Sequence, residues 1–252
     1  MHIAPGSWPG LQEAVLLRPS GMLVLPGRGT GFVADLHLGK TAHFQRAGVA
    51  VPDGADEATL ARLSGDLEAM PLQHLVVLGD LVHSGQALTP ALQERLLALR
   101  ERWPALALHL VWGNHDRHAR HALARLLATL GWHSCPAEGW RDGPVQGLHE
   151  PPSATTSVDA RDAPRLTLLG HLHPGVRLQG RARQRLRLPC FAAGPWGSGT
   201  RVLLPAYGHF TGQSPGLPED CPWVYAIAQD QLLAVPPAGA PAAWVRSEER
   251  RV

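Results

Sequence analysis

An α/β fold built on two stacked sheets is predicted for this chain, and three observations predict it. Short apolar runs alternate with helical periods between residues 14 and 130, in the order expected of layered α/β architecture. Beyond residue 131 the alternation stops, and short strands separated by turn-rich stretches replace it. With 252 residues, 44% hydrophobic and 17% charged, the chain can bury a full core and is not disordered by composition.

The elements follow in order. Ala14–Arg18 and Met22–Pro26 are apolar runs split by the turn signal Pro19-Ser20-Gly21, and Thr30–Asp35 is a third run ending in a carboxylate. Across residues 54–69 the spacing of Leu60, Leu63, Leu67 and Met70 is helical. His74–Gly79 is a continuous apolar run, as in a strand covered on both faces. Pro90–Arg102 is a leucine-rich amphipathic helix, Leu106–Trp112 a strand and Ala119–Leu130 another helix. In the second half, strands are expected at Val145–Leu148, Leu166–Leu169, Val176–Leu178, Arg183–Leu188, Arg201–Leu204, Val224–Ala228 and Leu232–Val235. Glu150–Pro164 reads as a mobile surface loop, and residues 236–252 as a flexible tail after a single domain over 1–235.

Composition excludes several classes. No apolar run approaches the roughly 18–20 residues of a membrane span, and the N-terminus lacks the layout of a signal peptide, so a cytoplasmic protein with no membrane partner is expected. Cys135, Cys190 and Cys221 are odd in number and lack C-x-x-C spacing, against a disulfide framework or zinc knuckle. The net charge of +2 is small, so charge placement says more about partners than the total does. Lys40 is the only lysine among 23 basic residues, and histidines number 14.

Five segments hold most of the reactive side chains: Asp35-Leu36-His37, Gly79-Asp80, Gly113-Asn114-His115-Asp116, His149, and Gly170-His171-Leu172-His173. Asp35, Asp80 and Asn114 each fall just past an apolar strand, where open α/β sheets bind ligands. The i, i+2 spacing within Asp35-x-His37 and His171-x-His173 would point paired side chains to one side of an extended segment. Two carboxylates, one carboxamide and four imidazoles then face one crevice, with His115 beside them. Oxygen and imidazole donors without thiolates suit catalytic manganese, iron or zinc. Seven donors are too many for one ion that keeps an open position, whereas two ions sharing a carboxylate would use them all. Asp80 is the expected bridge, and a hydroxide held between the ions the expected nucleophile.

These motifs resemble the calcineurin-like metallophosphoesterase superfamily, whose pattern D-x-H, GD, GNH(D/E), H, GH-x-H is matched at every element between residues 31 and 173. The resemblance implies a four-layer α/β/β/α sandwich. It implies one metal on Asp35, His37, Asp80 and His173, and a second on Asp80, Asn114, His149 and His171. His115 corresponds to the general acid and Asp116 to the residue that orients it. The flanks are most similar to the bacterial ligase-associated DNA damage response endonucleases: Asp35-Leu36-His37-Leu38-Gly39-Lys40 with Phe44-Gln45-Arg46, Gly79-Asp80-Leu81-Val82-His83-Ser84, His173-Pro174-Gly175-Val176 and Leu188-Pro189-Cys190-Phe191. Residues 204–212 are close to that group's LPAFG-x-FTGG, with Tyr207 and Gln213 where phenylalanine and glycine are usual, and residues 192–199 are irregular against it. This narrower likeness implies a manganese-dependent phosphodiesterase acting on DNA, in a repair set with an ATP-dependent ligase, a nuclease and a helicase.

Lys40 and Arg46, after the first metal motif, are expected to border the substrate, and His83 to stand close behind the bridging Asp80. Arg117 and Arg120 open the helix after the Gly-Asn-His-Asp loop and are candidates for phosphate contact. Arg181, Arg183, Arg185 and Arg187 recur with period 2, either tracking a phosphate backbone or forming a solvated strand face. The same centre on a small phosphodiester, a nucleotide pyrophosphate or a phosphomonoester is the alternative function, and a non-enzymatic scaffold the remaining one.

Overall fold

The computed structural model describes residues 1–236 apart from 47, 52, 153–162, 180–184, 215 and 218–219. Most of the expected loop at 150–164, Arg181 and Arg183 of the arginine row, and the tail beyond 236 lie outside the described residues. The first half contains β1 (His2–Ile3), β2 (Val15–Leu17), β3 (Leu23–Leu25), β4 (Thr30–Val33), α1 (Lys40–Arg46), α2 (Ala55–Ala69), β5 (His74–Leu78), α3 (Pro90–Arg102), β6 (Ala107–Val111), α4 (Arg120–Thr129) and β7 (His133–Ser134). The second half is all strand: β8 (Trp140–Asp142), β9 (Val145–Leu148), β10 (Leu166–Leu169), β11 (Gly175–Gln179), β12 (Arg185–Trp196), β13 (Gly199–Leu203), β14 (Trp223–Ala228) and β15 (Gln231–Val235).

Strands β1 to β7 form one sheet in sequence order, and its β4, β5, β6 and β7 are parallel. The second sheet runs β15-β14-β12-β13-β10-β9-β8, with β11 paired to β12 and a parallel centre of β9, β10 and β13. Alternation along β5 builds two cores at once, because successive side chains leave opposite faces. Leu75 and Val77 pack with Leu63 and Leu67 of α2, Leu92, Leu96 and Leu99 of α3, and Leu123 and Leu127 of α4. Val76 and Leu78 pack with Val145, Leu166, Leu168, Phe191 and Val202 of the second sheet. The predicted two-sheet α/β architecture is therefore present.

Among the described residues no α-helix follows Thr129, and the far face of the second sheet carries instead a small cluster of Leu169, Ala192, Leu203 and Cys221 with Leu217. Backbone covers that face so closely that a Cβ at Gly194 would meet the Asp220 carbonyl, and an Arg201–Asp220 ion pair anchors the segment. Helix α1, seven residues with only Thr41 buried, is too short to show a hydrophobic period. β12 runs 12 residues, well past the expected Leu188, because the interrupting Pro189, Gly194 and Pro195 are absorbed within one long strand.

Candidate metal centre

Both sheets deliver the carboxyl ends of their parallel strands to one edge. Asp35, Asp80 and Asn114 follow β4, β5 and β6, while His149 and His171 follow β9 and β10. Cross-strand and cross-sheet hydrogen bonds lock these ends together. Asp35 N–H donates to the Gly79 carbonyl (3.1 Å), His37 N–H to the Asp80 carbonyl (2.8 Å) and Tyr207 N–H to the Ala34 carbonyl (2.7 Å). His171 N–H donates to Asp35 Oδ2 (2.8 Å), and His149 Nδ1 donates to the Leu78 carbonyl (2.9 Å).

Backbone conformation departs from the extended segments expected for the two paired motifs. Asp35, His37, Asp80, His171 and His173 all have φ between 43° and 64°, five of the six left-handed non-glycine residues among the described residues. Left-handed backbone costs a non-glycine residue of order 1–3 kcal/mol and concentrates at functional sites. The side chains converge because of this alternating left-handed backbone rather than strand pleat. Gly79 and Gly113 are equally constrained by space: a Cβ at Gly79 would enter the His149 ring, and one at Gly113 would meet the Asp80 carboxylate.

The seven candidate ligands fall into two groups with Asp80 between them. On one side His37 Nε2 is 3.4 Å from His173 Nε2 and 3.6 Å from Asp80 Oδ2, and His173 Nε2 is 3.3 Å from Asp35 Oδ1. On the other, Asn114 Oδ1 is 2.9 Å from His149 Nε2 and 3.1 Å from His171 Nδ1, with Asp80 Oδ1 3.6 Å from His149 Nε2. Asp35 Oδ1 and His37 Nδ1 are buried without a hydrogen-bond partner. Burial pushes Asp80 above the usual carboxylate range, with the neighbouring Asp35 charge adding to it. Burial, then the charges of His173 and Lys40, drives His37 down to about 2, so this imidazole is neutral and available as a ligand. At His173 burial acts downward, but the Asp35 carboxylate outweighs it and raises the pKa. Carboxylate oxygens and imidazole nitrogens crowded together here form a donor set that a cation would satisfy.

His115 and His83 stand at the mouth. His115 Nδ1 donates to the His83 carbonyl (2.9 Å), which leaves Nε2 unengaged, and its ring lies edge-on to His37 at 4.9 Å. His83 stacks on both His115 (4.8 Å) and Phe44 (6.1 Å), and burial holds its pKa near 4. Asp116 hydrogen-bonds the backbone rather than the His115 ring. Its fully buried carboxylate accepts from Val82 N–H (3.0 Å) and Gly113 N–H (3.1 Å), so it braces the loop, and the His83 carbonyl orients His115 instead. Burial raises Asp116 to about 6.

The outer residues divide. Lys40 is half-buried beside the centre, where burial lowers its pKa and its charge depresses His37 and His83. Arg120 lies 5.2 Å over the ring of Trp112, and Arg117 is exposed 3.7 Å from Glu150. Arg46 donates to the Gln86 carbonyl (2.8 Å). Arg187 is also committed, to the carbonyls of Gln213 and Ser214, whereas Arg185 is exposed. Glu150, near the centre, escaped the sequence reading, and it groups with His149 and His171. His43 packs 5.1 Å from His83. Adjacency to His149 was the one signal for Glu150.

A family profile described as calcineurin-like phosphoesterase matches residues 30–159. Among solved structures the chain is similar to Pseudomonas putida nuclease MPE, with a TM-score of 0.70 and 30% sequence identity over 93% of this chain and 99% of that one. No functionally curated protein matches it.

Proposed function

The chain belongs to the calcineurin-like phosphoesterase family and is a metal-dependent phosphoesterase, and from that premise we propose that it is a binuclear DNA endonuclease working in DNA repair. The position of Asp80 carries the two-metal part of this reading: its two oxygens face different ligand groups, Oδ2 toward His37 and Oδ1 toward His149. The buried Asp35 Oδ1, facing His173 Nε2 without a hydrogen bond, and the neutral His37 fit a divalent cation. Asp35, His37, Asp80 and His173 would hold one ion, and Asp80, Asn114, His149 and His171 the other. Two ions so held would supply Lewis acidity to the phosphate oxygens and would lower the pKa of water toward neutrality. Imidazole-rich donors favour manganese over magnesium.

The chain's own residues do the remaining work. His83 fixes the tautomer of His115 through its carbonyl, so a second proton on His115 sits at Nε2, facing the centre. From there it passes to the departing alkoxide oxygen of the cleaved strand. Asp116 keeps the loop between Gly113 and His115 in register with Val82. DNA as substrate is supported by the nuclease neighbour and by the exposed Arg117 and Arg120 at the rim. The test is cleavage of plasmid and flap DNA against bis(4-nitrophenyl) phosphate, each with manganese. Rapid turnover of the small diester with DNA left intact would replace this reading with the small-substrate one.

A further inference from the structure

Beside the metal centre, α2 and the loop after β13 enclose a pocket of about 160 Å³ lined by Arg62, Gly208, His209, Thr211, Gly212 and Gln213. It shares a wall with the centre. His173 Nδ1 donates to the Gly212 carbonyl (3.1 Å), and Gly208 N–H donates to the Asp35 carbonyl (3.1 Å). His209 N–H, bonded to Thr59 Oγ1 (3.0 Å), ties the same loop to α2. The pocket is thus held rigidly one residue away from a candidate metal ligand.

Among the described residues no ion pair engages its cation. The Arg62 guanidinium lies 4.4 Å over the Tyr207 ring, and its Nε and Nη2 are buried with no hydrogen-bond partner among the described residues. Asp66, one helical turn along α2, is already taken: Oδ1 accepts from Arg18 Nε (2.7 Å) and Oδ2 from the Tyr207 hydroxyl (2.8 Å). A half-buried guanidinium with two unsatisfied donors calls for an anion, and its planar fork matches two oxygens of a phosphate. Across the pocket Gln213 contributes a neutral amide that can donate as well.

We propose that this pocket holds a non-scissile phosphate of the DNA strand through Arg62, a role that depends on the nuclease reading above. A small diester placed on the metals does not reach it; a polynucleotide running past His173 and Gly212 does. The test uses Arg62→Met and Gln213→Glu, the second nearly isosteric but adding a negative charge to the pocket. Both should raise KM for DNA about tenfold while leaving bis(4-nitrophenyl) phosphate turnover within about twofold of wild type. For Arg62→Met the slope of log kcat/KM for DNA against log salt should flatten by about 0.7–0.9, the loss of one phosphate contact. Should Arg62→Met fail to fold, judged by its melting temperature, Gln213→Glu still decides. Wild-type KM and salt dependence in folded variants would overturn the pocket assignment alone. Equal losses on DNA and the small diester would overturn it too, by placing the effect at the metals. If the wild type turns over the small diester but no DNA, the nuclease reading and the pocket fall together.

Discussion

Asp116 offers Oδ1 to Val82 N–H and Oδ2 to Gly113 N–H, and that structural role sets what its substitution should do. Nothing in the sequence announces these bonds, just as nothing in Asp35-Leu36-His37 announces left-handed φ at both ends of a motif whose candidate ligands residue identity alone marks. Asp116→Asn replaces one acceptor with a donor facing Val82 or Gly113 N–H, and an unsatisfied buried pair of this kind costs about 1–3 kcal/mol. The expected phenotype is a lowered urea midpoint with the leaving-group dependence of hydrolysis unchanged. His115→Ala should do the opposite. Metal content and stability are retained, while hydrolysis of esters with poor leaving groups slows by about 10²–10⁴-fold and that of nitrophenyl esters by much less. Equal losses on the two ester classes would show that His115 serves binding rather than proton transfer.

At the scale of elements, periodicity succeeded where a face is long and apolar. α3 begins and ends at the predicted Pro90 and Arg102, helped by Thr89, whose hydroxyl accepts from Leu92 N–H (3.2 Å) to cap it. It failed for α1 and for the reach of β12, where short length and prolines hide the pattern. The loop after β13 was readable only as a motif, although the two departures there, Tyr207 and Gln213, turn out to flank Arg62. Adjacent strands also create a feature that single runs conceal. His74, His109 and His133 come from β5, β6 and β7, with His74 Nδ1 3.2 Å from His109 Nε2 and the His109 and His133 rings stacked at 5.1 Å. Burial, then the charges of His133 and His74, lowers His109 from 6.5 to about 4. The unfolded chain therefore takes up a proton that the folded chain refuses across that interval. Stability from a neutral His109 is complete above about pH 6.5 and is lost as pH falls toward 4. His109→Gln cannot titrate, so its urea midpoint should fall less than wild type between pH 7 and 5. Parallel pH profiles for the two proteins would exclude the effect.

For the molecule as a whole, the centre lies at one edge of the seam between two sheets that share an apolar core. Asp35 and His171 meet across that seam, as do Asn114 and His149. A cation bound by both members of such pairs ties one sheet to the other, and it binds the folded chain far better than the unfolded one. Metal occupancy should therefore stabilise the entire fold and not merely local loops. By mass action a single ion at a hundred times its Kd adds about 2.7 kcal/mol, which for a chain of this size corresponds to roughly 5–10 °C in Tm. Free histidines of the unfolded chain reduce that gain somewhat, since they also bind manganese. Melting the protein in a chelator and in rising manganese should show one cooperative transition moving upward. Asp80→Ala removes the carboxylate that faces both ligand groups, so it should abolish most of the shift and lower the metal content below the two ions per chain proposed for the wild type. His37→Ala and His171→Ala each touch one group and should retain part of it. A full manganese-induced shift in Asp80→Ala would place the metals elsewhere and remove the basis for the shared-carboxylate assignment.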